Sequence, residues 1–302
     1  MLRFITSRLF QSVIVLLVMS FIIYGLIGLM PGDPIDIMVN SNPGYTAQDV
    51  ARLRAQYGLD QPLLTRYWNW LQAAAMLDFG YSRTYSQPVL VVLVPALIQT
   101  GKLVGLSFMV FTVLALTLGV LAALTKGSVL DRLINLLAFA GISIPVFFLA
   151  LMLIYLFAVR LGWLPASGMF TIGGDGSLGD TAKYYVLPVL TLTAAFVGRF
   201  TRFTRASMVE VLRMDYIRTA RAKGLSELTV LFRHVLRNGL IPILTGVVVV
   251  IPSLFMGSLL IESFFGIPGL GSYTIDAIAA QDFAVVRAMV FLGSVLYLVG
   301  LI

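Results

Sequence analysis

Few residues in this 302-residue chain could do bond-breaking chemistry. There is no cysteine, which excludes disulfides and thiolate metal sites, and the one histidine, His234, cannot build a metal cluster alone. His234 also lacks a nucleophile arranged around it in the sequence and reads as a loop or packing residue. The segment Gly174-Asp175-Gly176-Ser177-Leu178-Gly179-Asp180-Thr181 has the glycine spacing of a phosphate-binding loop, but Asp180 stands where the required lysine would be, and a carboxylate repels phosphate. It reads as a glycine-rich turn. With no other nucleotide or catalytic motif, the chain is not expected to be an enzyme or to bind a metal or cofactor itself.

The polar chemistry is concentrated instead in residues 199–238, RFTRFTRASMVEVLRMDYIRTARAKGLSELTVLFRHVLRN, a basic stretch in an otherwise apolar chain. Residues 208–223 contain good helix formers without Gly or Pro and predict one helix, which Gly224 breaks. Ser226 is suited to cap a second helix, with Glu227 complementing its dipole. Two short helices at an angle would then be held between apolar spans. Basic residues could simply anchor such a loop and bind anionic lipid head groups. Anchoring would not need Tyr216, Ile217, Leu225 and Leu228 on helices broken by a glycine, so a knob for a docking partner is the favoured reading.

The elements that must position this loop are membrane spans. The composition is 59% hydrophobic and only 12% charged, far below the charged fraction of a soluble domain. Five apolar runs are long enough to cross a bilayer, near residues 9–30, 103–125, 133–159, 184–198 and 240–262. A sixth begins near 286 and stops at Ile302, which reads as a chain lacking its natural end. The first run is too long for a signal peptide and reads as an uncleaved span.

One side of these spans holds thirteen basic and four acidic residues, the other eight basic and ten acidic. By the positive-inside bias, the N-terminus and residues 199–238 are expected in the cytoplasm. The positive charge is then largely topological, and nucleic acid is not an expected partner. On the other side, Thr46 and Asp49 predict a capped helix ending at Gly58, and Pro62 opens a second helix carrying Tyr67, Trp68 and Trp70. That helix could rest on the bilayer surface or receive an external protein.

Spans 1 to 5 contain almost no ionisable residue, which argues against a proton-driven pump. Pro145, Pro188, Pro242 and Pro252 fall within spans or at their ends. Pro252 and Ser253, with Met256 and Glu262, are the expected path or gate residues; packing irregularity is the simpler reading of the prolines. A self-contained channel or secondary carrier for a polar solute stays open, as does a scaffold for a cytoplasmic enzyme. Active transport would need energy from another chain.

Residues 199–238 resemble the EAA loop of ABC importer permeases, with Ala220 and the hinge Gly224 kept. Arg218, Thr219 and Arg237 depart from the general pattern in the manner of the oligopeptide/dipeptide branch, whose members read YIRTARAKGL as residues 216–225 do here. Met30-Pro31-Gly32-Asp33-Pro34, Tyr57-Gly58-Leu59-Asp60-Gln61-Pro62 and residues 262–271 (ESFFGIPGLG) are similar to further elements of that branch. The resemblance implies an all-α type I importer permease fold with six transmembrane helices. It divides the chain into an N-terminal helix (1–30), a periplasmic helical insertion (31–102) and a permease core (103–302).

It further implies a multi-pass subunit of the bacterial inner membrane, forming half of a pathway for di- or oligopeptides. The same role for nickel complexes or saccharides is the alternative within the branch. Its implied partners are a second permease, two ATPase subunits that bind ATP and Mg, a periplasmic binding protein and membrane lipid. ATPase coupling would fall on Asp215, Tyr216, Ile217, Arg218, Thr219, Ala220, Ala222, Lys223, Gly224, Leu225 and Ser226.

Overall fold

The computed structural model describes residues 2–29, 39, 45–56, 58–174 and 177–301. The proline-rich element at 31–34, Tyr57, and Asp175 and Gly176 of the glycine-rich turn lie outside the described residues. The described chain is almost entirely helical. Its contacts divide it into two units, Met1–Ile98 with Ser272–Gly300, and Gln99–Gly271.

In the first unit, α1 (Leu2–Gly28) is an apolar helix that leaves Leu9, Phe10, Val13, Leu17 and Val18 exposed, the surface a lipid-facing span requires. Helix α2 (Ala47–Gln56) begins in a reciprocal capping box. Asp49 accepts from the Thr46 backbone N–H at 3.0 Å, and Thr46 Oγ1 accepts from the Asp49 N–H at 3.3 Å. Thr46 Oγ1 also donates to the Asp49 carboxylate at 2.6 Å, and this bond, with the backbone N–H bond beside it, holds the Asp49 carboxyl below its ordinary range. The helix closes at Gly58, whose φ of 65° lets Leu59 N–H reach Arg54 O at 2.8 Å.

Helix α3 (Leu63–Ala75) follows Pro62. Tyr67 Oη donates to Leu17 O at 3.1 Å, and its ring lies edge-on to Phe21. Trp70 packs against Tyr24 and Phe291. Trp68 is exposed. A short hairpin pairs β1 (Tyr81–Ser82) with β2 (Gln87–Pro88). Buried Asp282 accepts from Ser82 Oγ at 2.6 Å and Thr84 N–H at 3.0 Å, and from the Val285 N–H at 3.4 Å. One carboxylate thus clamps the hairpin and caps the last helix. Beside it, burial and the neighbouring Asp276 and Asp282 push the Tyr85 hydroxyl up to about 12.

Helix α4 (Val89–Leu124) is continuous through Pro95. Helices α5 (Val129–Ser143) and α6 (Val146–Leu153) follow, with α6 prolonged by a π-helical stretch, Ile154–Arg160. The sequence predicts one span here, but the chain bends by 102° between α5 and α6. Pro145 is the cause. Proline disfavours helical geometry in the residue before it, and Ile144 is extended at φ −88° and ψ 123°.

Helix α7 (Leu178–Leu212) is far longer than the predicted span over 184–198. Residues 199–212 therefore continue the α7 helix and are not loop. The predicted single helix over 208–223 is also broken, because Met214 turns extended (ψ 146°) before α8 (Asp215–Ala222). No Gly or Pro marks that break. It turns α8 so that Ile217 and Ala220 enter the core, and tertiary burial overrides local propensity. After α9 (Glu227–Thr229) and a π-helical stretch (Val230–Val235), α10 (Leu236–Phe265) passes through Pro242 and Pro252 without interruption. Helices α11 (Leu270–Ala279) and α12 (Phe283–Leu301) complete the chain. Among the described residues, five helices, plus the bent pair, are long and apolar enough to cross a membrane.

The core of the second unit centres on Phe111, whose ring meets Phe200 and Phe196 at 5.4 and 6.2 Å. Helices α5 and α7 approach so closely that a Cβ on Gly198 would run into the Ala138 carbonyl. Small residues permit such contacts where water gives no drive for helix association.

Candidate functional site: a basic elbow between two long helices

The break at Met214 and the turn at Gly224 convert residues 213–235 into an elbow. Gly224 has φ +78°, the left-handed geometry that side chains with a Cβ resist. Its N–H bonds Arg221 O at 2.9 Å, and Leu225 N–H bonds Ala220 O at 3.4 Å, a Schellman closure that satisfies the last carbonyls of α8. Ser226 then caps α9, accepting from Thr229 N–H at 3.4 Å.

Across this hinge, Arg221 Nε and Nη2 donate to the two Glu227 oxygens at 2.8 and 3.0 Å. The pair raises the Arg221 pKa above its already high ordinary value, so the cation persists at every physiological pH. Arg218 reaches Asp215 at 3.4 Å in a fully solvated pair. Thr219 Oγ1 bonds back to Asp215 O.

The elbow has a root and a tip. Ile217, Ala220, Val230 and Val235 are buried in the core of the unit. Tyr216, Leu225, Leu228 and Phe232 are exposed, the last two at 69% and 67%. Its base is fastened: Ser207 Oγ donates to Gly239 O at 3.0 Å, and Asn238 Nδ2 to Tyr216 Oη at 3.2 Å. Met208 fills the space a side chain at Gly239 would need. These contacts tie α8 to α10 and α10 to α7.

A second fastener was not visible in the sequence. Asp131, 3% exposed, receives Arg205 Nε and Nη2 at 2.6 and 2.7 Å, the Gly127 N–H at 2.9 Å and Asn135 Nδ2 at 2.7 Å. It joins the start of α5 to α7 below the elbow. Ser128 followed by Asp131 is a capping pattern, but the partnership with Arg205, 74 positions away, has no local signature.

The four expected path residues part company. Pro252 and Glu262 are buried, whereas Ser253 and Met256 are exposed on α10, with Val249 and Leu260 on the same face. Glu262 accepts from Thr100 Oγ1 at 2.7 Å and from Gly271 N–H at 2.6 Å. A Cβ on Gly269 would strike that carboxylate. The segment ESFFGIPGLG is therefore a turn folded around its own glutamate. Asp180 does analogous work in the glycine-rich turn, accepting from Thr171 N–H and Oγ1 at 2.7 and 2.6 Å.

Long apolar helices with lipid-compatible surfaces, joined in the second unit by a folded polar elbow, define a polytopic membrane protein. Residues 115–302 match the family described as "Binding-protein-dependent transport system inner membrane component", and residues 1–100 match its N-terminal counterpart. The chain belongs to this family of ABC importer permeases.

A protein named as a peptide permease from Brucella suis biovar 1 (strain 1330) is 36% identical over 304 residues, covering 100% of this chain and 95% of the relative. The "Glutathione transport system permease protein GsiC" of Escherichia coli (strain K12) is 37% identical over 294 residues, covering 97% and 92%. Among solved structures, the inward-facing MetNI methionine ABC transporter superposes with a TM-score of 0.54 at 20% identity, over 70% of this chain and 94% of that one. An amino acid ABC transporter reaches 0.50 at 15% identity, over 70% and 88%. The permease fold expected from the motifs is the fold observed.

Proposed function

We propose that this chain forms half of the pathway of an ATP-driven peptide importer in the bacterial inner membrane. Residues 215–226, together with the exposed Leu228 and Phe232 that follow them, dock one of two cytoplasmic ATPase chains, which hold the ATP and Mg. A second permease supplies the other half of the pathway, and a periplasmic binding protein delivers the solute. The N-terminus and the elbow face the cytoplasm, as the charge asymmetry favours; residues 31–102 form the outer insertion.

The observation that carries this reading is the elbow itself. Its root is buried and fastened to two spans, while its apolar tip is offered to solvent. An element built that way is a lever, and a lever requires a partner with two states that bias it differently. The peptide class is supported by the names of the full-length relatives. The exposed face of α10 with Ser253 and Met256 is assigned to the pathway and the second permease. Pro252 and Glu262 support it from behind.

Transport in inverted membrane vesicles tests the proposal. Labelled peptide enclosed with the binding protein in the lumen should be released only when ATP is added outside, and a proton gradient alone should drive nothing. Gradient-driven transport without ATP would overturn it.

A further inference from the structure

One recess of the second unit is not used by the elbow. It has a volume of about 560 Å³ and is lined by Asn135, Ile142, Arg199, Arg202, Phe203 and Arg205, between α5 and α7. Its chemistry is divided. One edge carries three guanidinium groups at successive turns of α7; Phe203 and Ile142, both about two-fifths exposed, supply an apolar wall.

The charges are not equivalent. Arg205 is committed to Asp131 through two hydrogen bonds, so its charge is balanced and its position fixed. Arg199 and Arg202 are exposed, and among the described residues neither is ion-paired. The Arg202 guanidinium lies 5.1 Å from the centre of the Phe139 ring, which holds it toward α5 without neutralising it. The recess therefore has an uncompensated positive edge beside an apolar wall.

Depth identifies what fits. From Lys183, the last charged residue before the apolar run of α7, to Arg199 is about 24 Å along a helix, so the two charges bracket a segment that fits within a hydrocarbon core of about 30 Å. Arg199 and Arg202 thus sit where hydrocarbon gives way to head groups, on the basic side of the protein. Next to them, α5 exposes Leu136 at 66% and Phe139 at 58%, a surface suited to acyl chains. A soluble anion would use the guanidinium edge and leave the apolar wall wet; a lipid with an anionic phosphate uses both.

We propose that this recess is a binding site for an anionic phospholipid, its phosphate held by Arg199 and Arg202 and an acyl chain lying along Ile142, Phe203 and the exposed face of α5. The bound lipid would lie in the surface recess along α5 and α7, beside the Asp131–Arg205 pair. The assignment concerns lipid alone and does not depend on which solute the protein carries.

Native mass spectrometry of the full chain, released from detergent with phosphatidylglycerol or phosphatidylcholine, tests the site. Wild type should retain phosphatidylglycerol preferentially. The R199Q/R202Q variant should lose that retention by about tenfold or more, because each basic contact near an anionic head group contributes appreciably. R199K/R202K should keep most of it. Ile142→Trp, which fills the apolar part and leaves the charges intact, should also reduce it. Equal retention of the two lipids by wild type would overturn the proposal. So would unchanged phosphatidylglycerol binding in R199Q/R202Q, displacement of the lipid by inorganic phosphate alone, or occlusion of the recess by another subunit that leaves no lipid bound.

Discussion

Arg221 and Glu227 close the elbow from opposite sides of Gly224, each carboxylate oxygen receiving one guanidinium N–H. The two residues belong to different helices, so the pair sets the angle between them. Both are substantially exposed, which limits its worth to about 1 kcal/mol or less. Arg221→Ala and Glu227→Ala should each reduce transport several-fold with little change in thermal stability. The exchanged pair R221E/E227R should recover part of the loss, and a transport assay beside a melting curve measures both.

Gly224 sets the same angle through the backbone. Nothing lies within 4 Å of where its Cβ would stand, so the cost of a side chain there is conformational and not steric. Gly224→Asn, which tolerates the left-handed region, should retain ATPase docking, whereas Gly224→Val should lose it at about 1–2 kcal/mol of local strain. Gly224→Trp should lose it as well while still inserting into the membrane. Recovery of the ATPase on pull-down separates these outcomes.

The Asp131–Arg205 pair is a different kind of contact, since the carboxylate is buried and shared among four donors. Removing the cation alone leaves that charge uncompensated, so Arg205→Ala should destabilise the chain by about 3 kcal/mol and lower its melting temperature. Asp131→Asn should be milder, because the amide oxygen still accepts from Gly127. Thermal unfolding in detergent is the measurement.

The aromatic residues of α3 divide into two tasks. Tyr67 and Trp70 tie α3 to α1 and α12, and their replacement by alanine should lower stability and expression. Trp68 faces outward, so Trp68→Ala should spare stability and affect only delivery from the binding protein. Unchanged uptake in Trp68→Ala would leave it as an interface anchor.

The sequence showed best what local chemistry controls. The capping box at Thr46 and Asp49, the glycine closures at Gly58 and Gly224 and the Ser226 cap each depend on residues a few positions apart. What it concealed depends on distant partners. The break at Met214 exists because Ile217 and Ala220 find a core to enter, and the length of α7 exists because its arginines have places to go: Arg202 over Phe139, Arg205 on Asp131. Prolines were ambiguous for the same reason. Pro145 ends a helix while Pro188, Pro242 and Pro252 are carried through theirs, and the surrounding packing makes the difference. Glu262 stands at a span end, and its bond from Thr100 in α4, 162 positions away, has no local signature.

The central claim is that the exposed tip of the elbow is where the ATPase binds. Leu228 and Phe232 form that tip without contributing to the buried root. Tagged wild-type and L228D/F232D chains, purified from membranes under the same conditions, should differ in recovered ATPase activity by roughly tenfold or more, as expected when apolar anchors of an interface are replaced by charge. Insertion and melting temperature should be unchanged. Full recovery of the ATPase with L228D/F232D would contradict the assignment of the elbow as the coupling element.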